Sequence, residues 1–432
     1  MEKSIIKNKE ELSTNPLRKD ALDILEAGYQ SVLTGNILAE NISLKEDILK
    51  IKNQKYNLND YKKIYVIAFG KCSNQSALFI EEVLGDKITE GFVLDVKLEK
   101  FKKLKSKKGT HPLPSNQNIK ATDLIKKILK KVKKDDLVLV FVSGGGSALL
   151  SSPVEGVDSE FLGKINQGLM DKGVSISETN IVRKHLSEIK GGALAKLIFP
   201  AKLVSVIFSD VPGDDISVIA SGPTVRDLTT KEDAKMILES YSSEDPQSSL
   251  SEAYSFLIET PKEEKYFENV DNILLVTNKL ALESMEKKAD ELGYNSLIES
   301  FDIQGEARKL SVKLINEDSL ANSCRIFGGE TTVKIIGDGK GGRNQEFVLA
   351  SLENLSADVL VLAAASDGVD NSNVAGALVD FELFKKMQDE GLDWRKYLDN
   401  NNSYEFFEKI GTQIKTGKTG INVADFYLIL KK

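Results

Sequence analysis

The sequence predicts an α/β protein of two α/β domains, the first built on a doubly wound parallel sheet. Three observations carry this. The runs KKIYVIAFG, EGFVLDV, DLVLVFVSGGG and AKLVSVIFSDV are short and rich in β-branched residues, and they end in glycine or turn residues, as buried parallel strands do. Between them lie the amphipathic helical patterns SNQSALFIEEVL, IKATDLIKKILKKV and ISETNIVRKHLSEIKGGALAKLI, and strand–helix alternation is the mark of a parallel sheet. A second alternation follows a charged stretch containing Ser and Pro, from SSEDPQSSL to ETPKEEKYFENV.

Taken in order, the chain opens on MEKSIIKNKEELSTNPLRKD, which is polar and mixed in charge, without the apolar stretch of a signal peptide. A helix is expected from about Leu17 (LRKDALDILEAGYQSVL), then a polar connection and the strands and helices above. The charged stretch is the expected boundary, giving domains 17–250 and 251–432. Beyond it NILLVTN, SLIES, CRIFGGETTVKIIG, VLVLAAASDG and FYLILKK read as strands, with helices at ALESMEKKADELGY and RNQEFVLASLENL.

Composition narrows the function. The 432 residues carry 58 Lys+Arg against 65 Asp+Glu, a formal charge of −7, with the basic residues scattered, which argues against a dedicated nucleic-acid binder and leaves room for a local anion site. Cys72 and Cys324, the two cysteines, are far apart and have no metal-ligand spacing, as expected of reduced thiols in the cytoplasm. The apolar run LVLVFV is much shorter than the roughly 20 residues of a membrane span.

In an open parallel sheet ligands gather at the carboxyl ends of the strands. Lys71 follows a strand-terminal glycine there. Ser143-Gly144-Gly145-Gly146-Ser147 precedes an apolar helix start and suits an anion, because glycines admit close backbone approach and a helix amino terminus adds positive charge; a tight strand-to-helix turn would need the same glycines. Helical spacing puts Arg183, Ser187 and Lys190 on one basic face. A serine hydrolase is excluded by the lack of G-x-S-x-G and by the presence of only two histidines, His111 and His185. Two further loops mimic nucleotide motifs. Gly337-Asp338-Gly339-Lys340-Gly341-Gly342 matches G-x-G-x-x-G, with Asp367 at a suitable distance for a ribose, the case for an NAD(P)-dependent oxidoreductase. GTQIKTGKTG, Gly411 to Gly420, resembles a Walker A loop with one residue too many, and it sits between a helix pattern and a strand pattern, the reverse of a P-loop.

Together the stretches VFVSGGGSALL, NIVRKHLSEIKGGALA, SDVPGDDISVIASGPTV, GGETTV, GKGGRNQE, SDGVD with AGALVD, and TGKTGINVAD resemble, in order, the glycerate 2-kinases with a carboxyl-terminal MOFRL domain, here about 322–428. The resemblance implies a Rossmann-like amino-terminal domain, an active site in the cleft between the domains, and transfer of the γ-phosphoryl group of ATP to the 2-hydroxyl of D-glycerate with Mg2+. A related hydroxy acid as acceptor, or hydroxypyruvate reduction, are the alternatives. It places the catalytic lysine on Lys71 and the catalytic arginine on Arg343. The phosphate side would take Ser143 to Ser147, Lys190, Asp210 and Asp214; the substrate side Arg183, Glu330 and Asp367. Asp210, Asp214 and Glu330 are the metal candidates, since magnesium takes one or two carboxylates beside phosphate oxygens. A homodimer is compatible with the family. The chain departs from the family pattern in a short loop after Asp367, in Ser115 where an acid is common, and in Lys418 where proline is usual.

Overall fold

The computed structural model describes residues 4–209, 211–242, 248–317 and 320–432. They fall into two units, one of 37–209 with 215–275, the other of the described residues in 1–36, 210–214 and 276–432.

The first unit begins with an antiparallel meander of β1 (Ile42–Lys45), β2 (Ile48–Ile51) and β3 (Gln54–Asn57). Its main sheet holds β4 (Ile64–Phe69), β5 (Ile88–Asp95), β6 (Lys105–Lys108), β7 (Leu137–Val142), β8 (Lys202–Phe208) and β9 (Val270–Val276), in the order β6-β5-β4-β7-β8-β9. The β6·β5, β5·β4, β4·β7 and β7·β8 pairs are parallel. Every residue of β4 and β7 is buried, which is why IYVIAF and LVLVFV are continuously apolar instead of alternating. Counted from β4 the order is 3-2-1-4-5-6, so the winding reverses between β4 and β7, the place in an open parallel sheet where ligands bind at the carboxyl ends of the strands. A separate apolar cluster holds helices Ser159–Asp171, Ile176–His185, Lys231–Ser242 and Ser249–Ala253 together beside the sheet.

The second unit is built on β10 (Asn295–Glu306), β11 (Ser323–Thr332), β12 (Val359–Ala365), β13 (Gly376–Val379), β14 (Gln413–Ile414) and β15 (Asp425–Lys431), ordered β10-β11-β15-β12-β13-β14. Only β10·β11 is parallel; the other pairs are antiparallel, making a mixed sheet.

The units divide differently from the 17–250 and 251–432 expected. Helix Pro16–Ser31 belongs to the second unit, where Gly28 lets helix Asn278–Glu291 approach: a Cβ there would stand 2.7 Å from Met285 Cγ. Arg18 also clasps Asp380 through two 2.7 Å bonds. Conversely NILLVTN, expected in the second domain, is β9 at the edge of the first sheet. The pattern ISETNIVRKHLSEIKGGALAKLI is two helices, Ile176–His185 and Ala193–Ile198, interrupted by Gly191 and Gly192 at φ 53° and 85°.

Candidate functional site

The loops leaving β4 and β7 are stitched together at the winding reversal. Gly70 (φ 120°) is required, since a Cβ there would lie 2.2 Å from Ser143 Oγ. Lys71 N donates to Gly144 O at 2.9 Å, and Cys72 N donates to Ser143 Oγ at 3.1 Å. Gly145, at φ 78°, lets His111 and the Lys71 side chain lie over the loop, with Lys71 Cγ 3.3 Å from where a Cβ would be. Lys71 thus stands exposed at the lip of the SGGGS turn. The helix after the turn, Gly146–Leu149, is a single turn, so positive charge here comes from side chains rather than from the helix dipole expected on sequence.

Beside the turn opens a cavity of about 220 Å³, lined by Gly145, Ser147, His111, Asn166, Arg183 and Lys190 among others, and among the described residues no acidic side chain lines it. Helical spacing does not bring Arg183, Ser187 and Lys190 together: the helix stops at His185 and Ser187 bridges to Pro153. The chain's turn back delivers all three to the cavity wall instead. Arg183 Nε donates to Asn166 Oδ1 at 2.7 Å. The buried Lys190 ammonium donates to Ser147 O and, at 3.2 Å, to Ser147 Oγ. Ser147 Oγ in turn meets Ser221 Oγ at 2.7 Å. Ser221 is held there by three successive left-handed residues, Ala220, Ser221 and Gly222 at φ 51°, 62° and 57°, a conformation that costs energy and is found where a site needs it. Burial, then the Arg183 charge, pushes Lys190 down to about 7. Burial lowers Arg183 from its ordinary value, and burial followed by Lys71 lowers His111.

The second unit presents Arg343 at the first position of helix Arg343–Ala350. Its guanidinium is engaged on two sides: Nε and NH2 lie 2.5 and 3.2 Å from Asp425 Oδ2 and Oδ1, and NH1 lies 2.5 Å from Glu330. Burial opposes its charge, but the bonds and charge of Asp425, then Glu330, hold it well above its usual value. The helix start is fixed by Asp370, which accepts from Asn344 N at 3.0 Å, Gln345 N at 2.9 Å and Gln345 Nε2 at 2.9 Å. Burial raises Asp370 to about 6 against these lowering bonds. Arg343 and Glu330 therefore meet, as two of the expected site residues. Asp367 does not join them; its carboxylate closes a local turn onto Val369 N at 2.9 Å. Asp214, at φ 56°, lies in a turn that clusters with the second unit. Asp210 lies outside the described residues. Among the described residues no three His, Cys, Asp or Glu side chains cluster as a metal cage.

Both nucleotide look-alikes have structural explanations. The amides of the G-x-G-x-x-G segment face asparagines: Ile336 N and Gly337 N donate to Asn401 Oδ1 at 2.7 and 3.0 Å, Gly339 N to Asn400 O at 2.9 Å, and Lys340 N to Asn402 Oδ1 at 3.2 Å. Its glycines make room for these neighbours; a Cβ on Gly337 would lie 2.4 Å from Asn400 Oδ1. In GTQIKTGKTG, Gly411 ends helix Ser403–Ile410, Gln413–Ile414 pairs with β13, and Thr419 Oγ1 donates to Ser366 O at 2.6 Å. That is helix, loop, strand.

Asp425, Asp370, Asn166, Ser221 and the Asn400–Asn402 run were not singled out by sequence. Asp425 closes TGINVAD and Asp370 closes SDGVD, so an acid ending a quoted motif was the available signal for both.

Comparison with known proteins covers both units. A family model described as "Domain of unknown function (DUF4147)" matches residues 20–254, and one described as "MOFRL family" matches residues 323–425. A glycerate 2-kinase of Pyrococcus horikoshii is 36% identical over 421 residues, 91% of each chain. A D-glycerate 2-kinase of Thermotoga maritima is 35% identical over 431 residues, 95% of this chain and 98% of its own. The crystal structure of glycerate kinase from Thermotoga maritima superposes with a TM-score of 0.83 at 33% identity, covering 96% of this chain and 99% of that one. With such agreement along nearly its whole length, the chain belongs to the glycerate 2-kinase family, an amino-terminal DUF4147 region followed by a carboxyl-terminal MOFRL region.

Proposed function

We propose that the protein is an ATP-dependent glycerate 2-kinase. The 2-hydroxyl oxygen of D-glycerate bonds to the γ-phosphorus of ATP, the bond to the β–γ bridging oxygen breaks, and 2-phosphoglycerate and ADP leave with release of the hydroxyl proton. The observation that carries this reading is the set of cations at the β4–β7 reversal, Lys71 beside a glycine turn, on a chain whose full-length relatives are glycerate kinases. Phosphoryl transfer asks little covalent chemistry of a protein; it asks for alignment and for charge placed against the transferring oxygens.

In this reading Lys71 and the Ser143–Ser147 turn address the phosphates, Arg343 meets phosphoryl or carboxylate oxygens, Arg183 lies on the acceptor side, and Asp367 shapes the loop near the substrate. By the family resemblance, these groups would serve an active site in a cleft between the amino-terminal and MOFRL domains. Magnesium, when bound, would neutralise phosphate charge. Asp214 and Glu330, with Asp210, would supply its carboxylates, with water and phosphate oxygens as the remaining ligands. A dinucleotide-dependent reductase is disfavoured, because the amides that would cradle a pyrophosphate are bonded to Asn400–Asn402.

The test is incubation with ATP, Mg2+ and D-glycerate, with enolase present and phosphoglycerate mutase absent. Prompt phosphoenolpyruvate is expected. Product that reaches phosphoenolpyruvate only after mutase is added would move the phosphate to the 3-position, and NADH oxidation with hydroxypyruvate would favour the reductase.

A further inference from the structure

Lys190, grouped with the phosphates on sequence, shares its cavity with Arg183. Two cations from different segments converge on a space of about 220 Å³ with no acidic side chain in its wall among the described residues. Arg183's bond to the neutral Asn166 leaves its charge uncompensated, and Lys190 is held by the neutral Ser147. Lys190 is buried and Arg183 partly so; basic groups withdrawn from water without a carboxylate forgo stability, and an anionic ligand restores the balance. The volume selects which anion. Sites for drug-sized ligands run to roughly 300–1,000 Å³, so the space matches a three-carbon acid more closely than an adenine nucleotide. The wall also offers hydroxyls: Ser147 and Ser187 line it, and the strained turn at Ala220–Gly222 fixes Ser147 through Ser221. That combination, two cations and hydroxyl partners in a small space, matches a short hydroxycarboxylate.

We propose that this cavity is the acceptor subsite, in which Lys190 and Arg183 together take the carboxylate of a small 2-hydroxy acid while the nucleotide binds elsewhere. The inference rests on the kinase reading and assigns the acceptor to residues of the first unit alone. It makes Asn166 a positioning residue, holding the guanidinium from behind without adding charge.

The experiment measures two affinities on the full chain: D-glycerate in the presence of Mg2+ and a saturating non-hydrolysable ATP analogue, and the analogue alone. Arg183→Gln removes the charge. Asn166→Asp keeps the volume and neutralises Arg183 in place, so that one variant is read even where the other fails to fold, with thermal melts as the check. The expected result is a D-glycerate Kd raised at least tenfold in each folded variant with the analogue's Kd within twofold of wild type. A smaller change for D-glycerate, or a tenfold loss of the analogue, overturns the assignment. Absence of kinase turnover in the wild type removes the kinase reading, whereas turnover with normal D-glycerate binding in the variants removes only this inference.

Discussion

Arg343 and Asp425 form a two-point ion pair across 82 positions of sequence, with Nε 2.5 Å and NH2 3.2 Å from the two carboxylate oxygens, while NH1 is taken by Glu330. The planar fork of an arginine spans two carboxylates in this way and an ammonium does not. Asp425 is buried and Glu330 half-exposed, so the first contact anchors the guanidinium and the second is the one a ligand can displace.

Arg343→Lys should therefore lose most of its activity, on the order of 100-fold in kcat, although the charge is kept. Arg343→Ala should in addition lower stability by about 3 kcal/mol, because Asp425 is left buried without its partner. Steady-state kinetics and urea unfolding on both variants separate the two effects. Near-wild-type turnover in the lysine variant would mean that charge alone matters at this position.

Lys71 and Lys418 are the two lysines that a motif search confuses, and the structure places them differently. Lys71 is tied through its own amide to the SGGGS turn, whereas Lys418 is exposed in a helix–loop–strand connection. Lys71→Ala should cost on the order of 100-fold in kcat, the scale of one preorganised electrostatic group, and keep its fold. Lys418→Ala should stay within severalfold. A folded Lys418→Ala as inactive as Lys71→Ala would make GTQIKTGKTG a working phosphate loop.

Sequence made the first half of the candidate site legible because its parts are contiguous: a buried strand ending in Gly70-Lys71, and another ending in SGGGS, are read from local pattern. Arg343 was legible as a residue, but its partner was not, since only the β11·β15·β12 pairing brings Asp425 beside it. The G-x-G-x-x-G segment misled for the same reason. Its glycines answer to Asn400–Asn402, some 60 residues on, and a local motif cannot report a distant occupant. NILLVTN was correctly a strand but joined the sheet before the charged stretch, because edge position is a tertiary property. KSKK, the strand β6, was not singled out because it has no apolar pattern, and such charge is what an exposed sheet edge carries.

Asp370 provides a pH signature for the start of the Arg343 helix. Its folded value of about 6 lies above the ordinary carboxylate value, so between those two pH values the folded state binds more proton than the unfolded state. The stability it contributes is present below pH 4 and is lost as pH rises through about 6. Asp370→Asn removes this term along with part of the cap. The variant's deficit relative to wild type, read from urea midpoints, should therefore grow as pH falls from 7 to 4; a deficit that shrinks over that range would refute the buried, proton-holding state.

Lys190 gives the corresponding signature for the acceptor. Burial and Arg183 bring it to about 7, so above that pH it is largely neutral in the free protein. The charged or titratable groups facing it are Arg183 from helix Ile176–His185 and His111 from the loop after β6, with Asp227 beyond Gly191 and tied to Lys184. A bound carboxylate favours the ammonium form, so binding above pH 7 takes up a proton and D-glycerate affinity falls with rising pH, by up to about tenfold per unit. Below pH 7 Lys190 is already charged and the dependence flattens. His111, lowered from its ordinary value, titrates on the acid side and does not produce this slope. Lys190→Met, close in volume and uncharged, should bind more weakly at pH 6.5 and show no slope between pH 7 and 9. Titration calorimetry of D-glycerate at pH 8 in two buffers of different ionisation enthalpy should report proton uptake in the wild type and none in the variant. A slope that persists in Lys190→Met would place the titrating group elsewhere.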